Sequence, residues 1–296
     1  MSYPLLRTLS ARLAIGLLLV VAFAGRAAAS APADTTRWLL PFLGKSGKLR
    51  IIPSQAARVL RLPALERFFG SKGEDLDPGF HDAEMEAPDG DAVHLISLVP
   101  FAAKEHGLLG QYRLGVWPGE RSGREPLPDG FIPVTLANAS LSVSKRFRLA
   151  DFLTHDQSSI WPKYLVLEPR LLDKLELLAD ALEAAGRSAH LVVMSGFRTP
   201  QYNARGVGRR GGRAKDSQHM YGNAADVFVD GNADGRMDDL NGDGRVNRAD
   251  AQWLLALAER IEESHPDLIG GLSAYKPTKG HGPFLHVDVR GVRARW

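Results

Sequence analysis

The sequence predicts an α+β fold, in which a small antiparallel sheet with flanking helices follows a mostly β module. Two observations lead to this fold class. In the second half of the chain, helical and strand patterns intermix without a regular β-α-β alternation. Between residues 36 and 140, short apolar runs alternate with turns rich in Pro and Gly, which is typical of β structure. The composition, with 44% hydrophobic and 24% charged residues, is that of a globular protein.

The first residues indicate an export signal. Arg7 and Arg12 precede an apolar run over residues 13–25, which is shorter than the roughly 20 residues of a membrane-spanning helix. The alanines at 27–29 match a small-residue cleavage site. We therefore expect residues 1–29 to be a signal peptide, the alternative being an uncleaved anchor. The mature chain is expected to be periplasmic or secreted, without stable membrane insertion after cleavage.

Residues 30–143 are predicted to form the mostly β module. Its strands are expected at residues 93–99, 112–117 and 131–136, where apolar runs are bounded by turn residues. The acidic, Gly-rich stretch at 70–91 is expected to be a loop. This region contains no group of residues that indicates chemistry, so its role is not indicated by its sequence.

Residues 144–296 carry the stronger patterns. Four leucines between Leu171 and Leu182 lie on one face of a helix predicted over residues 169–185. Pro169 suits the first helical position and Gly186 suits the helix end. A second amphipathic helix is expected at 249–264, and strands are expected at 189–194, 223–229, 268–275 and 284–289.

The chain has no cysteine, which excludes disulfides, thiolate zinc sites and cysteine nucleophiles. A metal would have to use His, Asp or Glu, and residues 217–226 read S-x-H-x-x-G-x-A-x-D. Imidazole and carboxylate are the ligands of hydrolytic zinc sites that lack thiolates. We expect His219, Asp226 and His286 to hold zinc and to leave a fourth position for water. The alternative is a buried His–Asp pair beside a core histidine.

Three segments resemble the D-alanyl-D-alanine carboxypeptidase and VanY-like zinc peptidases of bacterial cell walls, and most closely their murein endopeptidase branch. They are residues 195–203 (SGFRTPQYN), the motif at 217–226, and residues 284–288 (FLHVD), in the order of the family. The resemblance covers roughly residues 144–296. It implies a compact α+β fold in which His219, Asp226 and His286 bind zinc, and a substrate among peptidoglycan peptides.

The general base cannot be assigned from the resemblance, because this chain has Pro283 at the position where many relatives have an acidic residue. Asp288 is the first candidate, since it lies on the same strand face as His286. In one alternative, Asp288 orients a ligand histidine. In the other, Asp288 is itself the ligand and His286 is the proton shuttle. His281 is the second candidate base. Arg198 resembles the family arginine that contacts substrate or the developing oxyanion, and Tyr275 is expected to line the cleft.

A second metal signal lies at about 230–250. Residues 239–250 have the oxygen ligands, and a Gly at position 6, of an EF-hand-like calcium loop whose last position is Asp. A similar but weaker loop precedes it and shares Asn241. The alternative is an insertion that binds no ion. The expected calcium ligands are Asp239, Asn241, Asp243, Arg245 (through its carbonyl), Asn247 and Asp250, with a weaker set of Asp230, Asn232, Asp234 and Asp238.

A basic, Gly-rich loop spans residues 205–215. It lacks the aromatic residues of a nucleic-acid-binding segment, so no nucleic-acid partner is expected. It is predicted to be either a flap for anionic wall substrate or a solvated loop. A serine nucleophile at Ser195 is disfavoured, since the first glycine of G-x-S-x-G is missing.

Taken together, these patterns predict an exported zinc metallopeptidase that hydrolyses peptidoglycan stem peptides or cross-links, as a carboxypeptidase or an endopeptidase. Zinc, with calcium as a second ion, is the expected cofactor. The alternative is a non-catalytic, calcium-stabilised cell-wall-binding protein of the same fold, which the proline at position 283 keeps open. The oligomeric state is not indicated.

Overall fold

The computed structural model describes residues 41–44, 47–53, 79–86, 92–123, 127–208 and 212–296. The chain divides into two compact units, and the first, Met1–Asp34, lies outside the described residues together with the predicted signal peptide. All described residues belong to the second unit, Thr35–Trp296. Within its described part, no helix combines the length and the apolar character needed to cross a membrane.

The described residues before position 123 are mostly β structure. A four-stranded antiparallel sheet has the strand order β1-β2-β4-β3. A short hairpin, β6-β7, and a 3-10 turn at Phe101–Ala103 follow. The strands are β1 (Pro41–Gly44), β2 (Gly47–Pro53), β3 (Gly79–Glu86), β4 (Ala92–Ser97), β5 (Val99–Pro100), β6 (Leu108–Leu109) and β7 (Tyr112–Arg113).

A three-stranded antiparallel sheet links this region to the rest of the chain. Its order is β5-β8-β9, with β8 at Gly130–Val134 and β9 at Lys163–Leu165. A short helix, α1 (Pro118–Ser122), precedes β8, and a 3-10 turn at Leu149–Phe152 lies between β8 and β9.

A five-stranded sheet carries the residues of interest. Its order is β10-β11-β13-β12-β14, and every pair is antiparallel except β12 with β14. The strands are β10 (Leu191–Ser195), β11 (Ala224–Val229), β12 (Gly271–Tyr275), β13 (Phe284–Asp288) and β14 (Ala294–Arg295).

Helices pack against this sheet and close its core. The two long helices are α2 (Pro169–Ala184) and α4 (Arg248–Ser264), and each buries a stripe of aliphatic side chains spaced as an amphipathic helix requires. A short helix, α3 (Pro200–Ala204), follows β10. Two 3-10 turns, Gln218–Tyr221 and Pro266–Leu268, precede β11 and β12.

One continuous hydrophobic core joins described residues from both halves of the chain. It runs from Ile96 and Trp117 to Val289. The indole Nε1 of Trp117 donates a buried hydrogen bond to the carbonyl of Met220, 103 residues away, at 2.9 Å. The region before residue 144 therefore supports the turn that carries His219. The predicted division into modules at about residue 143 stays a prediction.

The α+β class and the small antiparallel sheet with flanking helices are confirmed. Two predictions in the first region are wrong. The stretch expected to be a loop at 70–91 contains β3, paired with β4. The strand expected at 112–117 is only two residues long, because the N–H groups of Leu114 and Gly115 bond the Gly107 carbonyl and turn the chain. In the second half of the chain, the strand expected at 268–275 begins later, at Gly271, because Leu268 lies in a 3-10 turn before β12.

Candidate metal centre

The sheet register places two of the predicted zinc ligands, and one serine, in one row across three strands. Asp226 on β11 lies directly opposite His286 on β13, and Ser273 on β12 lies opposite His286 on its other side. Directly opposed residues on neighbouring antiparallel strands have Cβ atoms about 5 Å apart on the same face. Asp226 and His286 are therefore brought together by strand pairing alone, although 60 residues separate them.

Gly222 allows the chain to bring His219, the third predicted zinc ligand, next to Asp226 and His286. His219 lies in the 3-10 turn Gln218–Tyr221, and Gly222 ends that turn at φ +67°, a conformation that favours glycine. A Cβ at this position would lie 2.1 Å from the carbonyl oxygen of Val166. The chain can thus turn tightly from His219 into β11 only with glycine at position 222.

The three side chains converge on one point and are buried. His219 Nε2 lies 3.3 Å from Asp226 Oδ1 and 3.3 Å from His286 Nδ1, and His286 Nδ1 lies 2.9 Å from Asp226 Oδ1. Within the described part of the chain, this is the group of three His, Asp or Glu residues whose ligand atoms converge in this way. The structure therefore unites the three residues predicted to bind zinc.

The outer nitrogen of each imidazole has its own acceptor. His219 Nδ1 lies 2.7 Å from the carbonyl oxygen of Gly196, and His286 Nε2 lies 3.1 Å from Asp288 Oδ2. A proton on each outer nitrogen leaves His219 Nε2 and His286 Nδ1 as lone pairs that face each other and Asp226. Outer acceptors of this kind fix the tautomer of metal-ligating histidines.

This donor set suits zinc. Zinc bonds of about 2.0–2.1 Å in tetrahedral geometry place ligand atoms roughly 3.3 Å apart, close to the observed separations. Three inward-facing lone-pair atoms repel one another unless a cation lies between them. Two imidazoles and one carboxylate are also the ligand types that zinc uses in the absence of cysteine.

Burial and the neighbouring charges shift the pKa values of the group. Burial lowers the pKa of His219. Burial alone would raise the pKa of Asp226, but His219 and His286 hold it well below its ordinary value. Despite its burial, His286 has a raised pKa, because the carboxylates of Asp226 and Asp288 stabilise the protonated imidazole whenever no metal competes with that proton. The centre thus keeps Asp226 as a carboxylate, the form that binds a metal.

Arg198 lies at the edge of the centre. Its Nη2 donates to Asp226 Oδ2 at 3.3 Å, on the carboxylate oxygen that does not face the histidines. Its Nε donor is buried and has no partner among the described residues. Burial lowers the pKa of this arginine, and the charge of Asp226 opposes the effect. Arg198 thus lies next to one of the predicted zinc ligands, and its predicted contact with substrate or the developing oxyanion stays a prediction.

Asp288 lies behind His286. It accepts from the outer ring nitrogen, while Arg290 binds both of its carboxylate oxygens and the Gly271 N–H donates at 2.7 Å. Although burial opposes the shift, these partners hold the pKa of Asp288 far below its ordinary value. Buried Lys174 donates to the Asp288 carbonyl at 2.8 Å and so anchors the strand end. This geometry favours the orienting role over the roles of general base and of ligand.

His281, the second candidate base, lies on the loop before β13. Its Nδ1 is 2.7 Å from the carbonyl oxygen of Gly282, and its ring meets the Phe284 ring edge-on at 5.0 Å. None of its described contacts reaches the three-residue centre. A catalytic role for His281 therefore stays a prediction.

The predicted calcium loop forms turns in which carboxylates bind backbone N–H groups. Asp239 accepts from Gly242, Asp243 and Gly244. Asp250 accepts from Leu240, Asn241 and Asn247 and caps α4. In the preceding loop, Asp230 accepts from Asp234 and Gly235, and Asp238 accepts from Gly231. The described residues include no second convergent group of His, Asp or Glu side chains. Calcium binding gains no support here and stays a prediction.

Part of the basic loop is packed rather than free. Arg213 stacks over the ring of Tyr202 at 4.3 Å and donates to the Tyr202 carbonyl, and Arg205 pairs with Asp156 at 3.6 Å. Residues 209–211 lie outside the described part of the chain. The predicted flap function stays a prediction.

Sequence reasoning missed the outer supports of the centre. The carbonyl of Gly196 and the guanidinium of Arg290 hold His219 and Asp288 in place, and the ring of Trp296 lies 5.1 Å from the ring of His286. The acceptor at residue 196 is a backbone carbonyl, which every residue type has, so the sequence gives no signal for it. Arg290 lies two residues after Asp288, and only the structure shows that it binds this carboxylate.

Residues 151–240 match the family model described as peptidoglycan L,D-endopeptidase MepK. The match includes Arg198, His219 and Asp226 and ends before β13. It confirms the resemblance to the murein endopeptidase branch of the cell-wall zinc peptidases, and it supports a peptidase that acts on peptidoglycan. Comparisons with curated proteins and with solved structures gave no match.

Proposed function

We propose that this chain is an exported, zinc-dependent peptidase that cleaves peptide bonds in peptidoglycan, and that His219, Asp226 and His286 are its zinc ligands. The convergence of three lone-pair atoms within 2.9–3.3 Å of one another carries the proposal. Peptidoglycan lies outside the cytoplasm, which agrees with the predicted signal peptide. The description of the matched family favours endopeptidase cleavage of an L,D bond over carboxypeptidase action.

The metal and the residues around the three ligands have distinct tasks in this mechanism. Bound zinc supplies Lewis acidity to the scissile carbonyl and to the attacking water. Asp288 and the Gly196 carbonyl hold the two imidazoles in the tautomers that direct lone pairs inward. Arg198, which donates to Asp226, adds positive charge at the edge of the centre. In this mechanism it stabilises the negative charge that develops on the oxygen of the scissile carbonyl.

The test is digestion of purified sacculi by the full mature chain. We expect wild-type protein to release muropeptides, zinc depletion to stop release, and added zinc to restore it. His219→Ala should release none, whereas His155→Ala, an exposed histidine outside the centre, should match wild type. Mass spectrometry of the products identifies the bond that is cleaved.

A non-catalytic wall-binding protein is the second candidate, and the buried Pro283 at the family's acid position favours it. This candidate predicts that wild-type protein sediments with sacculi without releasing products, in the presence or absence of zinc. Release of muropeptides by wild type and not by His219→Ala excludes it.

A further inference from the structure

The side chains of Trp296 and Tyr275 form an aromatic pair beside the metal-ligand centre. The indole Nε1 of Trp296 donates to the hydroxyl oxygen of Tyr275 at 2.8 Å. The Trp296 ring also lies 5.1 Å from the His286 ring and 5.4 Å from the Arg290 guanidinium. Since 52% of Trp296 stays exposed, the indole borders both the centre and the solvent.

Strand register explains why the pair lies on the face of the zinc ligands. Ser273 is opposite His286 and Tyr275 is opposite Phe284, and alternate residues of a strand share a face. The Tyr275 ring stacks on Phe284 with centroids 4.6 Å apart and planes 7° from parallel. This stacking fixes the direction of the phenol along the sheet.

Gly271 makes room for the indole. A Cβ at Gly271 would lie 2.4 Å from Asp288 Oδ2 and 2.9 Å from Trp296 Cη2. The Ser273 hydroxyl donates to the Trp296 carbonyl at 2.6 Å and holds the backbone next to β12. The close approach at Gly271 and the hydrogen bond from Ser273 therefore fix the position of Trp296, and its indole N–H points at Tyr275.

The hydroxyl of Tyr275 has an unused proton. Its one hydrogen bond within the described part of the chain is the one that it accepts from Trp296. A phenol hydroxyl can donate one bond as well as accept. Because the indole occupies a lone pair, the O–H proton is available to another acceptor, and Tyr275 lies on the sheet face that carries His286.

We propose that the Tyr275 hydroxyl donates a hydrogen bond to a carbonyl or carboxylate oxygen of the bound peptide, and that Trp296 is the residue that positions this hydroxyl. The proposal rests on the proposed peptidase function and adds to it a second hydrogen-bond donor besides Arg198. Donors placed in advance at such a position stabilise the developing charge most effectively.

The test compares Tyr275→Phe, Trp296→Phe and the double variant on purified muropeptides. Tyr275→Phe keeps the ring stack and should lower kcat/KM about 100-fold, in the range for losing one such donor. Trp296→Phe should lower it about tenfold, and the double variant should equal Tyr275→Phe, since both changes remove one interaction. Tyr164→Phe, which also removes a tyrosine hydroxyl, is the matched control and should match wild type. Zinc affinity should be the same in all four.

The proposal would be overturned if Tyr275→Phe had the kcat/KM of the wild type. It would also be overturned if the losses in kcat/KM of the two single variants added up in the double variant. The Kd of the same muropeptides for zinc-free protein provides a readout that does not depend on turnover, and Tyr275→Phe should weaken it about tenfold. If wild type cleaves nothing, the proposed function fails, and this Kd alone decides the role of Tyr275. Equal Kd values for wild type and Tyr275→Phe would then reject it.

Discussion

The Nε2 atom of His219 lies 3.3 Å from the Nδ1 atom of His286, and both are lone-pair atoms once Gly196 and Asp288 hold the outer ring protons. Two facing lone pairs beside the Asp226 carboxylate repel one another in a buried site. A cation among them removes that repulsion. We therefore expect the centre to be more stable when a metal is bound.

Zinc should raise the melting temperature of the mature chain. At a free zinc concentration 1,000 times the Kd, binding to the native state alone adds about 4 kcal/mol to the free energy of unfolding. For a chain of this size that corresponds to roughly 10 °C. Differential scanning calorimetry with and without zinc measures the shift. His219→Ala should show none, and an equal shift in that variant would mean that zinc binds elsewhere.

Asp288→Asn should weaken zinc binding. Asparagine keeps the shape of the side chain but removes the charge that orients His286, and loss of such a support costs about 10–100-fold in metal affinity. Competition with a chromophoric chelator measures the Kd. Asp180→Asn, on the exposed side of α2, is the control. A variant that keeps full zinc affinity but loses kcat would instead indicate that Asp288 is the general base.

Gly222→Ala should disrupt the centre, whereas Gly186→Ala should not. Both glycines have a positive φ, +67° and +70°, so alanine strains the backbone by about 1–2 kcal/mol at either position. At Gly186 the added Cβ meets nothing within 4 Å, but at Gly222 it meets the Val166 carbonyl. Urea unfolding should show a loss of at least about 3 kcal/mol for Gly222→Ala alone. Equal losses would show that this close approach is unimportant.

Tyr112 should make the protein sensitive to alkali. Burial, and then the charge of Asp156, raises the pKa of this tyrosine. The unfolded chain loses the proton at about pH 10, before the native state does. The native state then binds more protons than the unfolded state, so stability falls above pH 10 by up to about 1.4 kcal/mol per pH unit. Below pH 10 this contribution is constant.

Tyr112→Phe should remove that slope. The hydroxyl is buried and has no hydrogen-bond partner among the described residues, so phenylalanine should be at least as stable at pH 8. Urea unfolding at pH 8, 10 and 11 measures the difference between the two proteins. A constant difference across this range would contradict the buried, neutral state of Tyr112.

The sequence predicted the second half of the chain well because its signals there are local. The periodicity of α2, the Asp- and Asn-rich start of α4 and the apolar strands each depend on neighbouring residues. The three side chains that converge in the centre were predicted as zinc ligands from the motif around Gly222 and from the segment that forms β13, and their convergence agrees with that prediction. The first region was predicted less well, because the turn at Gly107 is made by backbone groups, and because β3 has an acidic sequence without the apolar run typical of a strand.

The same limit applies within the centre. His281 and Asp288 were both near enough in sequence to His286 to be candidate bases, but only the structure shows that Asp288 lies on the outer side of the ring. The contact between Trp296 and His286 depends on a parallel pairing of β12 with β14, which no local pattern indicates.

The most direct test of the metal centre is the zinc content of the purified mature chain, measured by inductively coupled plasma mass spectrometry after dialysis against metal-free buffer. The account predicts one zinc ion per wild-type chain and none in Asp226→Ala. Zinc-free wild-type protein that also fails to take up added zinc, or equal zinc content in the two proteins, would contradict it.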